Sequence, residues 1–345
     1  MKRVSSLVCF FVVVAGVLGS GQSWAAKAYV TNSNGNTVSV IDTASNQVVS
    51  TIAVGSTPCD VAVTRNAKSV YVATCFYAVG QPSMDDRIYR IDGTTGQVVR
   101  SAEAQSPDAV AVSPDGKRVY VSDVFNDQLW VYGAKNLRRL GRIQLGTASN
   151  RNAVDFGPGG FAFTPDGSRI YVTDINPPAS GGQPPTGIAV IDAATEQVVD
   201  FINLSGSDIA ASPDGSKMYV ANLEGLSVID TTSDQVVANV VISTNQPFFS
   251  VAVSPDGSKV YLSTSPYSGC RGGFVAVVDA VSDTLAATIP VKGCPSGLAL
   301  TPRGRKLYVA DFESNTVSVI DTMTNKVRAT ISDPSLSGPN AVGIR

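Results

Sequence analysis

Apolar and polar residues alternate along this chain in short bursts. The run Lys27-Ala28-Tyr29-Val30-Thr31-Asn32 is followed by Thr37-Val38-Ser39-Val40-Ile41-Asp42 and then by Gln47-Val48-Val49-Ser50-Thr51-Ile52. A period of two predicts strands, and no 3.6-residue periodicity appears that would predict helices. The pattern also repeats. Tyr29, Tyr71, Tyr120, Tyr171, Tyr219, Tyr261 and Tyr308 follow one another every 42 to 51 residues, each just before Val or Leu. Spacing in that range marks a repeat architecture.

Each copy predicts four strands. The first ends in a hairpin such as Ser113-Pro114-Asp115-Gly116, seen again at Thr164 to Gly167, Ser212 to Gly215 and Ser254 to Gly257, with Thr301-Pro302-Arg303-Gly304 as a variant. Pro fixes φ at the second position of a type I turn, and a polar residue and Gly complete it. The second strand carries the Tyr, the third ends in Ile-Asp or a relative of it, and the fourth resembles Gln47 to Ile52. The links are too short for helices. Seven units of four antiparallel strands predict an all-β, seven-bladed β-propeller. The ends of the chain predict how it closes. Residues 27–32 form a second strand with no first strand before it, while Pro339-Asn340-Ala341-Val342-Gly343-Ile344 reads as a first strand with no successor. The two should share one blade.

With Tyr29-Val30-Thr31-Asn32 as its signature and seven copies of the surrounding pattern, the chain resembles the YVTN (YncE-like) propeller repeat family of surface-layer and periplasmic proteins. The resemblance covers nearly all of residues 26–345. It implies a seven-bladed ring and says much less about activity, because such rings host many functions. Relatives with similar propellers include lyases, lactonases and metal chaperones that rely on His. This chain has no His, so those roles do not carry over.

Composition sharpens the picture. The first residues, Lys2-Arg3, an apolar run from Leu7 to Leu18 and then Ser23-Trp24-Ala25, read as a secretory signal peptide, residues 1–25. Cleavage after Ala28 also fits the small-residue rule but would trim the first strand. The apolar run falls short of the roughly 20 residues a membrane span needs. The expectation is an exported chain, periplasmic or at the cell surface, with one domain over residues 26–345 and no transmembrane segment. The formal net charge is −2, and no Lys/Arg block survives the signal. That excludes the footprint of a dedicated nucleic-acid binder. The absence of His also removes Ser-His-Asp and Cys-His catalysis and His-ligated metals.

Antiparallel order sorts the loops onto two faces. One holds the Pro-Asp-Gly hairpins and the turns after the third strand. Asp42, Asp92, Asp192, Asp230, Asp279 and Asp321 recur there. They could suggest a calcium ring, but Gly133 interrupts it, and an Asp in a turn ordinarily bonds local backbone amides. The other face varies from copy to copy. It holds the long segments 75–86, 145–159, 175–186 and 265–273 and the aromatics Phe76, Tyr77, Phe125, Phe156, Phe248, Phe249, Tyr267 and Phe312. Long loops on a rigid scaffold gather binding residues, and aromatics anchor interfaces.

Aligned at the start of each inner strand, the copies carry Cys59, Asp108, Gly159, Ser207, Phe249, Ser296 and Asn340, followed by Asp60, Ala109, Gly160, Asp208, Ser250, Gly297 and Ala341. Asp60, Asp108 and Asp208 are thus candidates for the mouth of the central channel. They could form a solvated polar rim or a weak Ca²⁺ site; no other cofactor is expected. The leading functional expectation is a non-catalytic, monomeric binding or scaffold module. Its partner would be a protein, peptide or glycan of the envelope. The rival is a hydrolase or lyase working without His through Asp60, Asp85, Asp86, Asp108, Arg151, Asp208, Arg271 or Tyr residues on the same face, although no spacing singles out a carboxylate pair.

Cys9 falls within the signal. For the remaining four cysteines the repeat register selects Cys59–Cys75 and Cys270–Cys294 among three pairings. Export favours their oxidation.

Overall fold

A computed structural model describes residues 26–75, 86–145, 158–174, 187–242, 244, 246–264 and 272–345. They form seven four-stranded antiparallel sheets. Blade 1 spans 27–53, and blades 2 to 7 span 58–103, 107–144, 158–202, 208–241, 248–290 and 295–332. The strand Pro339–Ile344 pairs antiparallel with Lys27–Asn32, with Val342 opposite Val30, and completes blade 1. Each inner strand packs beside the next, and the last returns to the first. The ring is the seven-bladed propeller that the repeat predicts, closed in one blade by the two ends of the propeller sequence.

The core is not one mass but seven wedges, each between two adjacent blades. Tyr29, Val38 and Val40 of blade 1 meet Val61, Val70 and Val72 of blade 2. At the closing junction Tyr308, Val317 and Val319 of blade 7 meet Ala28, Val30 and Val342 of blade 1. The second and third strands lie between neighbours on both faces, so runs such as Thr37–Asp42 are buried through their middle. Outer strands face solvent and, except in blade 2, keep a single deeply buried residue, for example Ile52 in blade 1 and Ile331 in blade 7. In all seven blades the pairing of third and outer strands slips by one residue. A bulge of this kind adds twist.

The recurring residues tie blades together. After each third strand, one residue of the turn takes a left-handed conformation: Asn46, Gly96, Leu137, Glu196, Asp234, Asp283 and Asn325. The preceding blade reaches for this turn. Arg118 pairs with Glu196 at 2.6 Å, Arg169 with Asp234 at 2.6 Å and Lys217 with Asp283 at 3.4 Å. Lys259 donates to the Thr322 carbonyl at 2.7 Å. Lys306 and Tyr308 of blade 7 reach Thr43 and Asn46 of blade 1. The recurrent Tyr is therefore a buried junction residue. Burial pushes the phenols up, Tyr171 and Tyr219 to about 12.

The turn carboxylates serve local structure. Asp42 accepts from the Ala44 and Ser45 amides, and Asp92 from those of Thr94 and Thr95. Asp192, Asp230, Asp279 and Asp321 repeat the arrangement. The hairpins close as type I turns do, the Gly116 amide donating to the Ser113 carbonyl at 2.8 Å. No helix among the described residues is long and apolar enough to cross a membrane.

Candidate binding face and channel mouth

Inner strands enter the ring at the loop face, and their first residues define the channel mouth. Asp60 begins this layer in blade 2. Its Oδ1 accepts from its neighbour, the Val61 amide, at 2.8 Å. Its Oδ2 accepts from the Val110 amide of blade 3 at 2.7 Å. Asp208 in blade 5 does the same. Oδ1 accepts from the Ile209 amide at 2.8 Å, and Oδ2 from the Val251 amide of blade 6 at 2.9 Å and the Ser250 hydroxyl at 2.8 Å. Each carboxylate bridges two blades through main-chain donors that would otherwise lack partners in the channel wall.

Smaller groups clamp junctions as well, among them the one that Asp208 bridges. Ser33 donates to the Pro58 carbonyl at 2.8 Å, Ser207 to that of Phe248 at 2.7 Å and Ser296 to that of Asn340 at 2.7 Å. Gly160 borders the Asp208 carboxylate so closely that a Cβ there would collide with it.

Asp108 has a different setting. Cys59 and Cys75 form a disulfide with Cα atoms 5.7 Å apart, joining the start of the inner strand Pro58–Val63 to the end of the second strand Ser69–Thr74. This is the pairing that the repeat register selects. Cys75 Sγ lies 3.2 Å from Asp108 Oδ1, and Cys59 Sγ 3.1 Å from the Asp108 carbonyl oxygen. Bridged sulfurs carry no hydrogen, so these are packing contacts. Cys294 is also disulfide-bonded, while Cys270, its expected partner, lies outside the described residues.

All three carboxylates are half-buried. Desolvation dominates their titration. It pushes Asp60 up to about 7 against the opposing effect of its two amide donors, with Asp208 and Asp108 adding repulsion. Burial pushes Asp108 up to about 6. Asp208 is raised by burial as well.

Of the two readings, a polar rim or a weak Ca²⁺ site, the geometry bears on the second. Among the described residues the one group of three potential ligands within 4.8 Å is Cys59, Cys75 and Asp108. Asp60, Asp108 and Asp208 do not converge on an ion, and the sulfurs of the group that does are bonded to each other. The lone pairs of Asp60 and Asp208 already hold amides.

The aromatics divide. Phe125, between the second and third strands of blade 3, is 48 % exposed. Phe249 and Phe312 are half-buried. Phe248 is 2 % exposed and packs edge-on against Phe274 with ring centroids 6.0 Å apart. This corrects its assignment to a contact surface. Phe248 occupies the strand-entry position that Pro fills in five other blades, and its ring packs in the wedge between blades 5 and 6. Asp86 is half-buried, and its Oδ2 accepts from the Ser106 amide at 3.4 Å. Phe76, Tyr77, Asp85, Arg151, Phe156, Tyr267 and Arg271 lie outside the described residues.

Asp311 is a buried carboxylate that the sequence reading passes over. It ends the second strand of blade 7, where blade 1 has Asn32. Its Oδ2 accepts from Ser318 at 2.6 Å and Thr316 at 3.2 Å, its Oδ1 has no partner, and burial pushes it up to about 7. In blade 3 the same position is Asp123, which accepts from Trp130 Nε1 at 3.1 Å and Gln128 Nε2 at 2.7 Å. The signal was available: Asp replaces the Asn of the Tyr-Val-Thr-Asn pattern in these copies.

Comparison with known proteins gives the fold alone. No protein-family model and no curated protein matches the chain. Among solved structures it is similar to hydrazine synthase of Kuenenia stuttgartiensis, with 19 % identity and a TM-score of 0.66 over 80 % of this chain and 86 % of that one. A functionally unknown protein from Desulfotomaculum acetoxidans is similar at 19 % identity and a TM-score of 0.68, over 92 % and 98 %. The dihydro-heme d1 dehydrogenase NirN, in complex with DHE, is similar at 15 % identity and a TM-score of 0.64, over 92 % and 75 %.

Proposed function

We propose that this chain is an exported propeller of the YVTN (YncE-like) type that binds a protein, peptide or glycan of the cell envelope through its loop face. On this reading residues 1–25 are a cleaved signal, residues 26–345 act as a monomer, and the propeller itself is non-catalytic. One observation carries the reading. The recurring polar groups, together with Asp60 and Asp208 at the channel mouth, are engaged in holding blade to blade. Carboxylates bound to two fixed amides are poorly placed to shuttle protons, which speaks against the hydrolase or lyase alternative. What varies from blade to blade is chiefly the loop face, where Phe125 stands exposed on a rigid support. The Cys59–Cys75 bridge fits an oxidising, non-cytoplasmic compartment.

The test is capture from the native envelope by tagged protein and by its Phe125→Ala variant. Capture of a partner that falls at least fivefold in the variant, with an unchanged melting temperature, is expected. Equal capture by both proteins, or turnover of a small substrate without partner capture, would overturn the reading.

A further inference from the structure

The hairpin face looks uniform in sequence, but the junction between blades 2 and 3 breaks its rule. In blades 3 to 7 the second strand starts with Lys or Arg, which reaches the left-handed turn residue of the next blade. That residue is Glu196, Asp234, Asp283, Asn325 or Asn46 in turn. Blade 2 instead starts this strand with Ser69, and blade 3 offers Leu137 at the acceptor position, buried in the wedge. The cation comes from the third strand. Arg90 Nε donates to the Ser69 hydroxyl at 3.1 Å, and Nη1 to the Lys135 carbonyl at 2.8 Å. Those two bonds fix a half-buried guanidinium that has further N–H groups to donate.

Exchanging a long basic side chain for Ser69 leaves space. A cleft of about 270 Å³ opens there, lined by Ser69, Tyr71 and the cations Arg65, Lys68, Arg90 and Lys135. The blade-2 hairpin is itself irregular, with Thr64-Arg65-Asn66-Ala67 where blades 3 to 6 carry Ser or Thr followed by Pro-Asp-Gly and blade 7 carries Thr301-Pro302-Arg303-Gly304. Arg65 is tethered by a bond from Nη2 to the Pro165 carbonyl at 3.1 Å. None of the four cations forms a salt bridge among the described residues. The acid lining the cleft, Asp115, is already satisfied by the Ser113 hydroxyl, the Lys117 amide and the Lys117 ammonium. Asp92, whose charge interacts with Arg90, accepts from two turn amides.

We propose that this cleft binds a tetrahedral oxyanion of phosphate type, free or as a small monoester, which takes the place of the turn carboxylate missing from blade 3. Four cations line this cleft, where each junction that starts from blades 3 to 7 has one cation facing one acid or amide. A fixed guanidinium suits the bidentate geometry of such an anion. The site lies on the opposite side of the ring from the loop face and does not depend on the partner reading.

The test is calorimetric titration of the full propeller with inorganic phosphate at constant low ionic strength, with chloride as reference. It is repeated on the charge-reversed variant Lys68→Glu/Lys135→Glu. Both residues are exposed, and the Lys135 carbonyl that holds Arg90 is kept, so the fold should survive; an unchanged melting temperature checks this. Saturable phosphate binding that weakens threefold or more in the variant is expected. No saturable binding, or weakening of less than threefold, overturns the proposal. Sedimentation with phosphatidic acid vesicles, against phosphatidylcholine vesicles, distinguishes the source. Co-sedimentation competed by free phosphate assigns a lipid headgroup, and phosphate binding without co-sedimentation assigns a soluble anion.

Discussion

The Tyr308 hydroxyl donates to the Asn46 side-chain oxygen at 2.6 Å across 262 residues of chain. It ties blade 7 to blade 1 as Tyr71, donating to the Ala134 carbonyl at 2.7 Å, ties blade 2 to blade 3. In a closed ring no junction is terminal. Tyr308→Phe and Tyr71→Phe should therefore each lower unfolding stability by about 1 kcal/mol, the net worth of an ordinary buried hydrogen bond. Urea unfolding of both variants measures this. A loss at Tyr71 with none at Tyr308 would mean that the ring behaves as an open array.

Asp60 makes a second kind of junction. Asp60→Ala would strand the Val110 amide in the channel wall and free that of Val61, at a cost of about 1–3 kcal/mol for an unsatisfied buried group. Gly160→Ala should act on Asp208 by collision with its carboxylate. Denaturant midpoints, together with exchange of the Val110 and Val251 amides followed by NMR, would report both effects. Unchanged protection of Val110 in Asp60→Ala would refute the clamp.

The buried carboxylates also set a pH profile. Asp60 and Asp311 are raised to about 7 and Asp108 to about 6, against about 3.9 for an unfolded Asp. Between these values the folded chain holds more protons than the unfolded one, so the contribution of these groups falls as pH rises from about 4 to 7. The turn residues act oppositely. Asp42, Asp92, Asp192 and Asp230 are lowered, chiefly by backbone amides, and Asp256 is lowered to about 2, chiefly by the Ser254 hydroxyl. Their contribution is present above about pH 4 and is lost as pH falls below it. Thermal melting should thus peak near pH 4–6, and Asp60→Asn should flatten the decline toward pH 8. A melting temperature that climbs steadily from pH 5 to pH 8 would contradict this.

Cys59 and Cys75 close a loop with a sequence separation of 16. The chain-entropy relation gives about 3 kcal/mol for such a loop. Cys59→Ala/Cys75→Ala should lose about that much, measured by guanidinium unfolding under non-reducing conditions. A loss at least as large is expected in the wild type on adding a dithiol reductant, which also opens the bridge at Cys294; no loss in either would show that the bridge does not constrain the unfolded chain.

The seven Tyr, the Pro-Asp-Gly hairpins and the orphan strand at 339–344 make the ring legible in the sequence, because strand alternation and turn chemistry are local. The Cys59–Cys75 pair is legible because register places both residues at one end of one hairpin. Side-chain direction is not local. Phe248 reads as a loop aromatic from its neighbours Gln246 and Pro247, but the ring turns it into the wedge toward Phe274. Asp60 and Asp208 share a layer, as alignment shows, yet only packed blades reveal that their oxygens are taken by the amides of Val110 and Val251. Ser69 and Leu137 are visible departures from the repeat. Their meaning waits on knowing that the first belongs opposite the second's turn in the next blade.

The central claim is that the repeated residues build the ring while a partner sits on the loop face. Site-specific photocrosslinking in the native envelope tests it most directly. The crosslinker is placed in turn at position 125 on the loop face and at position 281 on the hairpin face, where Val281 is 85 % exposed. The account predicts a discrete crosslinked adduct from position 125 and none from position 281. The same adduct from both positions, or one from position 281 alone, would contradict it.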